Sequence, residues 1–175
     1  DGRYHNSTKQ LSAYFSEFAL IRYRLKVEVE YFIMLAEKKF FKADARLKDQ
    51  LRQLVDDFSV EDAARIKETE SVTNHDVKAV EYFLKQKLEE YGAGSQKEWV
   101  HFGLTSQDIN NTAVPLLWKE AIEQEYLPAV LNLQLHISNL SLKWNDVPML
   151  ARTHGQPASP TRLGKELFVF VERLE

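Results

Sequence analysis

The apolar side chains of the first forty residues fall at Leu11, Tyr14, Phe15, Phe18, Ile21, Leu25, Val29, Phe32, Leu35 and Ala36. Steps of three and four residues are the mark of one helix face, and they predict a long amphipathic helix over residues 7–39. The aromatic residues of this stripe are core side chains, not a cofactor box. A second helix is expected over 45–58, burying Leu47, Leu51, Leu54, Val55 and Phe58. Ser59-Val60-Glu61-Asp62 has the form of a capping box. It opens a third helix, with Ala63 and Ile66 inward, that gives way around residues 70–72.

The same reading continues down the chain. Asn74 is placed to cap a helix over 77–91 carrying Val80, Phe83, Leu84 and Leu88 on its inner face. Gly92-Ala93-Gly94-Ser95 is a flexible break and a candidate domain boundary. Ser95-Gln96-Lys97-Glu98 resembles another capping box, ahead of Trp99, Val100 and Phe102. From Thr105 or Ser106, either of which can cap, a helix is expected to reach about Trp144, with Ile109, Ala113, Leu116, Leu117, Leu127, Val130, Leu131, Ile137 and Leu140 inward. Pro115 lies in its first turns, and Pro128 should bend it. Leu131, Leu133, Leu135, Leu140 and Leu142 make it apolar on more than one side, so other subunits or further residues should cover it. His136 reads as packing or surface. Residues 147–150 should run extended, and Ser159 should cap a last helix with Pro160 in its first position. No strand pattern longer than a few residues appears. The expected fold is all-α: a small N-terminal helical domain over 1–94, then the first part of a long-helix bundle domain over 95–175.

Composition narrows the partners. A net charge of −3 with mixed signs does not suit nucleic acid or an anionic membrane. The absence of cysteine removes disulfides and thiolate metal sites and is compatible with a reducing cytoplasm. There is no run of about 18 apolar residues to span a membrane. No glycine-rich phosphate loop is present, and the five histidines lack metal-binding spacing, so no metal is expected. The start at Asp1 lacks both a methionine and a secretory pattern. The last helix stops at Glu175 in mid-pattern, with no cap. Both ends are therefore expected to be internal to a longer protein.

Four stretches carry more polar chemistry than folding requires. Leu150 to Lys165 gathers His154, Gln156, Thr153, Arg152 and Arg162 around Gly155, with Pro157 and Pro160 stiffening the path. It reads either as a loop into a helix with a surface histidine or as a rigid loop presenting His154 near a positive helix end. In Thr73-Asn74-His75-Asp76, capping and the helix dipole account for Asn74 and Asp76. His75 is a poor choice there if charged, and would serve as a neutral donor or ligand-binding group. Thr105, Ser106, Gln107, Asn110 and Asn111 supply more hydroxyls and amides than one cap needs, at a helix start suited to a carboxylate or phosphate. Arg3 and Tyr4 either clasp a phosphate through a charged fork and a hydroxyl or belong to a floppy terminus.

Taken together, Asp1-Gly2-Arg3-Tyr4, residues 73–82, residues 101–111 around Thr-Ser-Gln-Asp-Ile-Asn, and Arg152-Thr-His-Gly-Gln-Pro157 resemble the N-terminal part of the adenylosuccinate lyase family. The likeness is to its bacterial form, within the fumarase/aspartase superfamily. The last block is shared across the superfamily, and Thr-Ser-Gln-Asp also resembles carboxymuconate cycloisomerases. The resemblance implies an all-α homotetramer of the cytoplasm, with active sites shared between subunits and no cofactor. The family releases fumarate by β-elimination, from adenylosuccinate to give AMP or from the succinyl-carboxamide ribotide earlier in purine synthesis. Carried over, His154 is the general acid. Arg3 and Tyr4 bind the nucleotide, and Asn74, His75 and Asp76 form a second binding segment. Thr105 and Ser106 serve the succinyl portion, while Thr153 and Gln156 support His154. The family's general-base serine lies in a Ser-Ser-x-Met-Pro-x-Lys-x-Asn-Pro loop with no counterpart here, so a protein ending at Glu175 is expected to be inactive. The alternatives are another superfamily catalyst, such as a carboxymuconate cycloisomerase, or a non-catalytic helical assembly fragment.

Overall fold

The computed structural model describes residues 2–175, and among these the regular structure is helical except for one two-stranded sheet. Two compact units are present, one ending at Ala121 and the other covering Ile122–Glu175.

The first unit begins with short turns: a 3-10 turn at Gly2–Tyr4, α1 (His5–Thr8), a second 3-10 turn at Lys9–Leu11, and α2 (Ser12–Phe15). The long helix, α3, spans Glu17–Glu37. The helix expected over 7–39 is thus broken at Ser16. Its extended backbone (ψ 165°) and its hydroxyl, which accepts from the Ala19 amide, start a new helix there. Apolar spacing continues across such a break and cannot reveal it. Then follow α4 (Ala45–Asp56), α5 (Val60–Thr73) and α6 (Asp76–Glu90), a 3-10 turn at Gly94–Trp99, and α7 (Ser106–Ala121).

The capping box at Ser59 and Asp62 forms in both directions. The one expected at Ser95 does not: the chain enters the 3-10 turn from Ala93 with no side-chain cap, and the Gly92–Gly94 break lies inside the unit. The core is α3 packed against α4, α5 and α6, with Leu25, Val29, Phe32, Leu51, Ile66, Leu84 and Leu88 buried. A smaller cluster joins α3 to α7 through Tyr14, Ala19, Tyr23, Ala113 and Leu117. There Tyr23 donates its hydroxyl to Glu120, which also holds Lys26. Burial, reinforced by Glu120, raises the Tyr23 phenol beyond its ordinary range.

The second unit opens with a π-turn at Ile122–Tyr126, followed by α8 (Leu127–Lys143), β1 (Pro148–Thr153), β2 (Gln156–Arg162) and α9 (Leu163–Leu174). The helix expected to run unbroken to about Trp144 is interrupted by this π-turn just ahead of Pro128. A proline there has no N–H and would press on the carbonyl four residues back, and the π-turn relieves the conflict.

Ser159 and Pro160 do not start a helix. Both lie in β2, paired antiparallel with β1, and α9 starts at Leu163 without a side-chain cap. The prolines are tolerated because a two-stranded sheet consists of edges. The start of α9 crosses α8 at Gly164. A β-carbon there would lie 2.2 Å from the Ser141 carbonyl oxygen and 2.7 Å from Asn145 Cα. Ser141 donates to the Gly164 carbonyl at 2.6 Å in this buried crossing. Leu131, Leu133, Leu135 and Leu142 on α8 and Phe168, Val169 and Phe170 on α9 are exposed.

Candidate active site

The polar stretch at residues 73–76 is built differently from the sequence expectation. Asn74 closes α5 rather than opening α6. It adopts left-handed backbone (φ 51°, ψ 33°), and its amide donates to the Glu70 carbonyl at 2.8 Å. A left-handed residue at a helix end favours glycine or asparagine, which accounts for Asn74 as well as an N-cap would. The cap of α6 is His75, whose Nδ1 accepts from the Lys78 amide at 3.2 Å. A ring that accepts through Nδ1 carries its proton on Nε2. Nε2 faces Ser106 Oγ at 3.4 Å. His75 thus turns its Nε2 edge toward Ser106.

Asp76 begins α6 and pairs with Arg24 of α3, its Oδ2 lying 2.6 Å from Nη2. Burial pushes the Asp76 carboxyl up, but the Val77 amide and Arg24 outweigh it and hold the group below its ordinary value. Arg24 also donates through Nε to Asn110 Oδ1 at 2.9 Å. One buried guanidinium thus touches α6 and α7 at once.

At the start of α7, Thr105 donates to Asp108 Oδ2 twice, from its amide at 2.7 Å and from its hydroxyl at 3.1 Å. These two bonds keep the Asp108 carboxyl below its ordinary value. The Thr105 hydroxyl expected to serve a substrate is thus engaged here by Asp108, while Ser106 faces His75.

Below this surface lies a polar cluster that sequence reading missed. Glu28, fully buried on α3, meets Nδ1 of His101 at 2.5 Å. His101 Nε2 lies 3.7 Å from Glu81, which is held by Lys78 at 2.7 Å. Burial raises the Glu28 carboxyl above its ordinary value, the nearby Glu81 adds to the rise, and His101 opposes it. The second oxygen, Oε2, has no hydrogen-bond partner among the described residues. A signal was available: Arg24 and Glu28 are four residues apart on the apolar stripe, between Ile21 and Phe32, where charged residues belong only when paired.

In the second unit, His154 and Gly155 are the two central residues of the β1–β2 turn, closed by the Thr153–Gln156 pair. Both have positive φ, 49° and 75°, the requirement of a tight type I′ hairpin turn. Glycine takes this backbone freely, whereas for histidine it stores strain on the order of 1 kcal/mol. Thr153, His154 and Gln156 are exposed. Arg3 and Tyr4 sit together in the first 3-10 turn, the guanidinium 5.4 Å from the ring centroid and the tyrosine exposed.

The structure therefore brings His75, Asp76, Thr105 and Ser106 to two adjoining helix starts in one unit. It sets His154, Thr153 and Gln156 on a hairpin tip in the other.

The family model described as "Lyase" matches residues 2–175. The chain belongs to the lyase family.

Members of that family are close in sequence. The chain is 50% identical to adenylosuccinate lyase from Dictyostelium discoideum and 44% identical to adenylosuccinate lyase from Escherichia coli, over its whole length in both cases. It spans 39% and 40% of those two relatives. Among solved structures, a fumarate lyase from Mesorhizobium superposes over 95% of this chain and 37% of its own, with a TM-score of 0.74 and 21% identity. A 3-carboxy-cis,cis-muconate lactonizing enzyme from Pseudomonas putida superposes over the same shares, with a TM-score of 0.69 and 22% identity. At such identity these two matches establish a shared helical fold.

Proposed function

We propose that this chain is part of an adenylosuccinate lyase that releases fumarate by β-elimination, from adenylosuccinate to give AMP and from the succinyl-carboxamide ribotide. The observation carrying the reading is identity of 41–50% along the full chain to relatives bearing that name, Escherichia coli and Dictyostelium among them. The site chemistry agrees with it. His154 is the general acid that protonates the departing nitrogen, and its strained, exposed turn is the kind of outlier that marks a functional position. Thr153 and Gln156, the pair closing that turn, support it.

His75 offers its Nε2 proton to the substrate. Ser106, beside it, binds the succinyl portion and stabilises charge developing on a carboxylate, with Thr105 joining once its bonds to Asp108 exchange. Arg3 and Tyr4 take the phosphate. Asn74 and Asp76 complete the binding segment, Asp76 through its hold on Arg24.

The assembled enzyme is a cytoplasmic homotetramer whose active sites draw on several subunits. An exposed two-stranded hairpin and an apolar α8 surface are marginal in water and suit such cover. Among the described residues no helix is long and apolar enough to cross a membrane. In the complete protein, residues 1–94 form the N-terminal domain and 95–175 open the central bundle.

AMP titrated into the complete protein, with NMR signals assigned, tests the reading. AMP should perturb Arg3, Tyr4 and His75 saturably. No perturbation at any of the three would favour a cycloisomerase-type ligand.

A further inference from the structure

We propose that Arg24 is a positioning residue of this lyase site. Its guanidinium sets the spacing between the starts of α6 and α7 at which His75 and Ser106 act together. The inference rests on the functional reading above, but its geometry is independent of it.

Two helix starts carry the polar groups, and their direct contact is long, 3.4 Å between His75 Nε2 and Ser106 Oγ. Arg24 supplies the short bonds. Nη2 reaches Asp76, the residue after His75, at 2.6 Å, and Nε reaches Asn110, one helical turn after Ser106, at 2.9 Å. The side chain is 10% exposed, and its neighbours Tyr23 and Leu25 are buried in the α3 core, so the fork has little freedom.

A buried ion pair is weak evidence for stability, since apolar side chains of similar volume often serve as well or better. Its presence at the junction of two substrate-facing segments is therefore read as positional. The planar fork also matters. A lysine at 24 keeps the charge for Asp76 but has no second donor fixed in direction for Asn110.

The test compares Arg24→Met and Arg24→Lys with wild type in the complete protein, measuring melting temperature, kcat and KM for adenylosuccinate, and the ¹⁵N shifts of the His75 ring. Arg24→Met should lower kcat/KM about 100-fold, mainly through KM, in protein that remains folded at the assay temperature. Arg24→Lys should fall between the two, and both should move the His75 Nε2 shift. Asn110→Ala should add little further loss in the Arg24→Met background.

Wild-type kcat/KM with an unmoved His75 ring in both variants would overturn the proposal. So would activity per folded molecule that stays constant while only the melting temperature falls. If Arg24→Met fails to fold, Arg24→Lys decides by the same two readings. A wild-type protein without lyase turnover would defeat the functional reading instead, and the His75 shift in the variants would still decide whether Arg24 sets that ring.

Discussion

His101 Nδ1 lies 2.5 Å from Oε1 of Glu28, joining a turn in left-handed backbone (φ 59°) to the middle of a helix 73 residues earlier. With Glu81 on the other side of the ring, one imidazole separates two buried carboxylates. The turn it anchors leads directly into Thr105 and Ser106. Replacing His101 by alanine leaves Glu28 buried without its partner and should cost on the order of 3 kcal/mol. Chemical denaturation checks this, and an unchanged midpoint would contradict it.

The same carboxylate gives a pH signature. Glu28 has a raised folded value, so between its ordinary and raised values the native state binds the extra proton and stability falls as pH rises. Glu28→Gln removes that dependence. Its melting temperature relative to wild type should therefore climb as pH goes from about 4 toward neutrality, starting near the ordinary carboxylate value. Asp76 acts with the opposite sign. Its lowered value contributes stability that is lost on acidification, so Asp76→Asn should cost most at neutral pH. Melting curves over this range test the first, and curves extended below the ordinary aspartate value test the second; a Glu28→Gln advantage that shrinks with rising pH would contradict the first.

Asn74 separates capping from binding. Glycine tolerates left-handed backbone, so Asn74→Gly should keep the melting temperature close to wild type, while Asn74→Ala should cost about 1 kcal/mol. If the side chain also binds nucleotide, Asn74→Gly raises KM despite normal stability. Calorimetry with steady-state kinetics distinguishes the two roles, and equal stability of the two variants would refute the left-handed cap.

Gly164 admits no β-carbon without moving α8 backbone. Gly164→Ala should destabilise by about 1–3 kcal/mol, as overpacking does. A melting temperature equal to wild type would show that the crossing is looser than described.

His154→Ala in the complete protein should lower kcat by about 10²–10⁴ with little change in melting temperature. Because the residue is exposed at a hairpin tip, stability and chemistry separate cleanly there. Unchanged turnover would assign the acid elsewhere.

How much of this was legible from residues alone follows from what periodicity encodes. The apolar stripes located the helices, and Ser59 with Asp62 announced their capping box. Breaks within a stripe did not show: Ser16 is one hydroxyl in an uninterrupted pattern, and the π-turn ahead of Pro128 keeps the chain helical in character. Residues 148–162 were hard because their strands are exposed on both faces and so lack alternation. The Ser-Pro pair at 159–160 mimicked a helix start more strongly than the hairpin announced itself. Of the site, the conspicuous polar runs were visible. Arg24 and Glu28 showed only as charges on an apolar stripe, and their roles, like that of Glu81, come from partners distant in sequence that periodicity does not reveal.

The most direct test of the account is product analysis with the complete protein. Incubated with adenylosuccinate, it should generate AMP and fumarate in equal amounts, and His154→Ala should suppress both together. A folded wild-type protein that leaves adenylosuccinate intact while converting a carboxymuconate would contradict it.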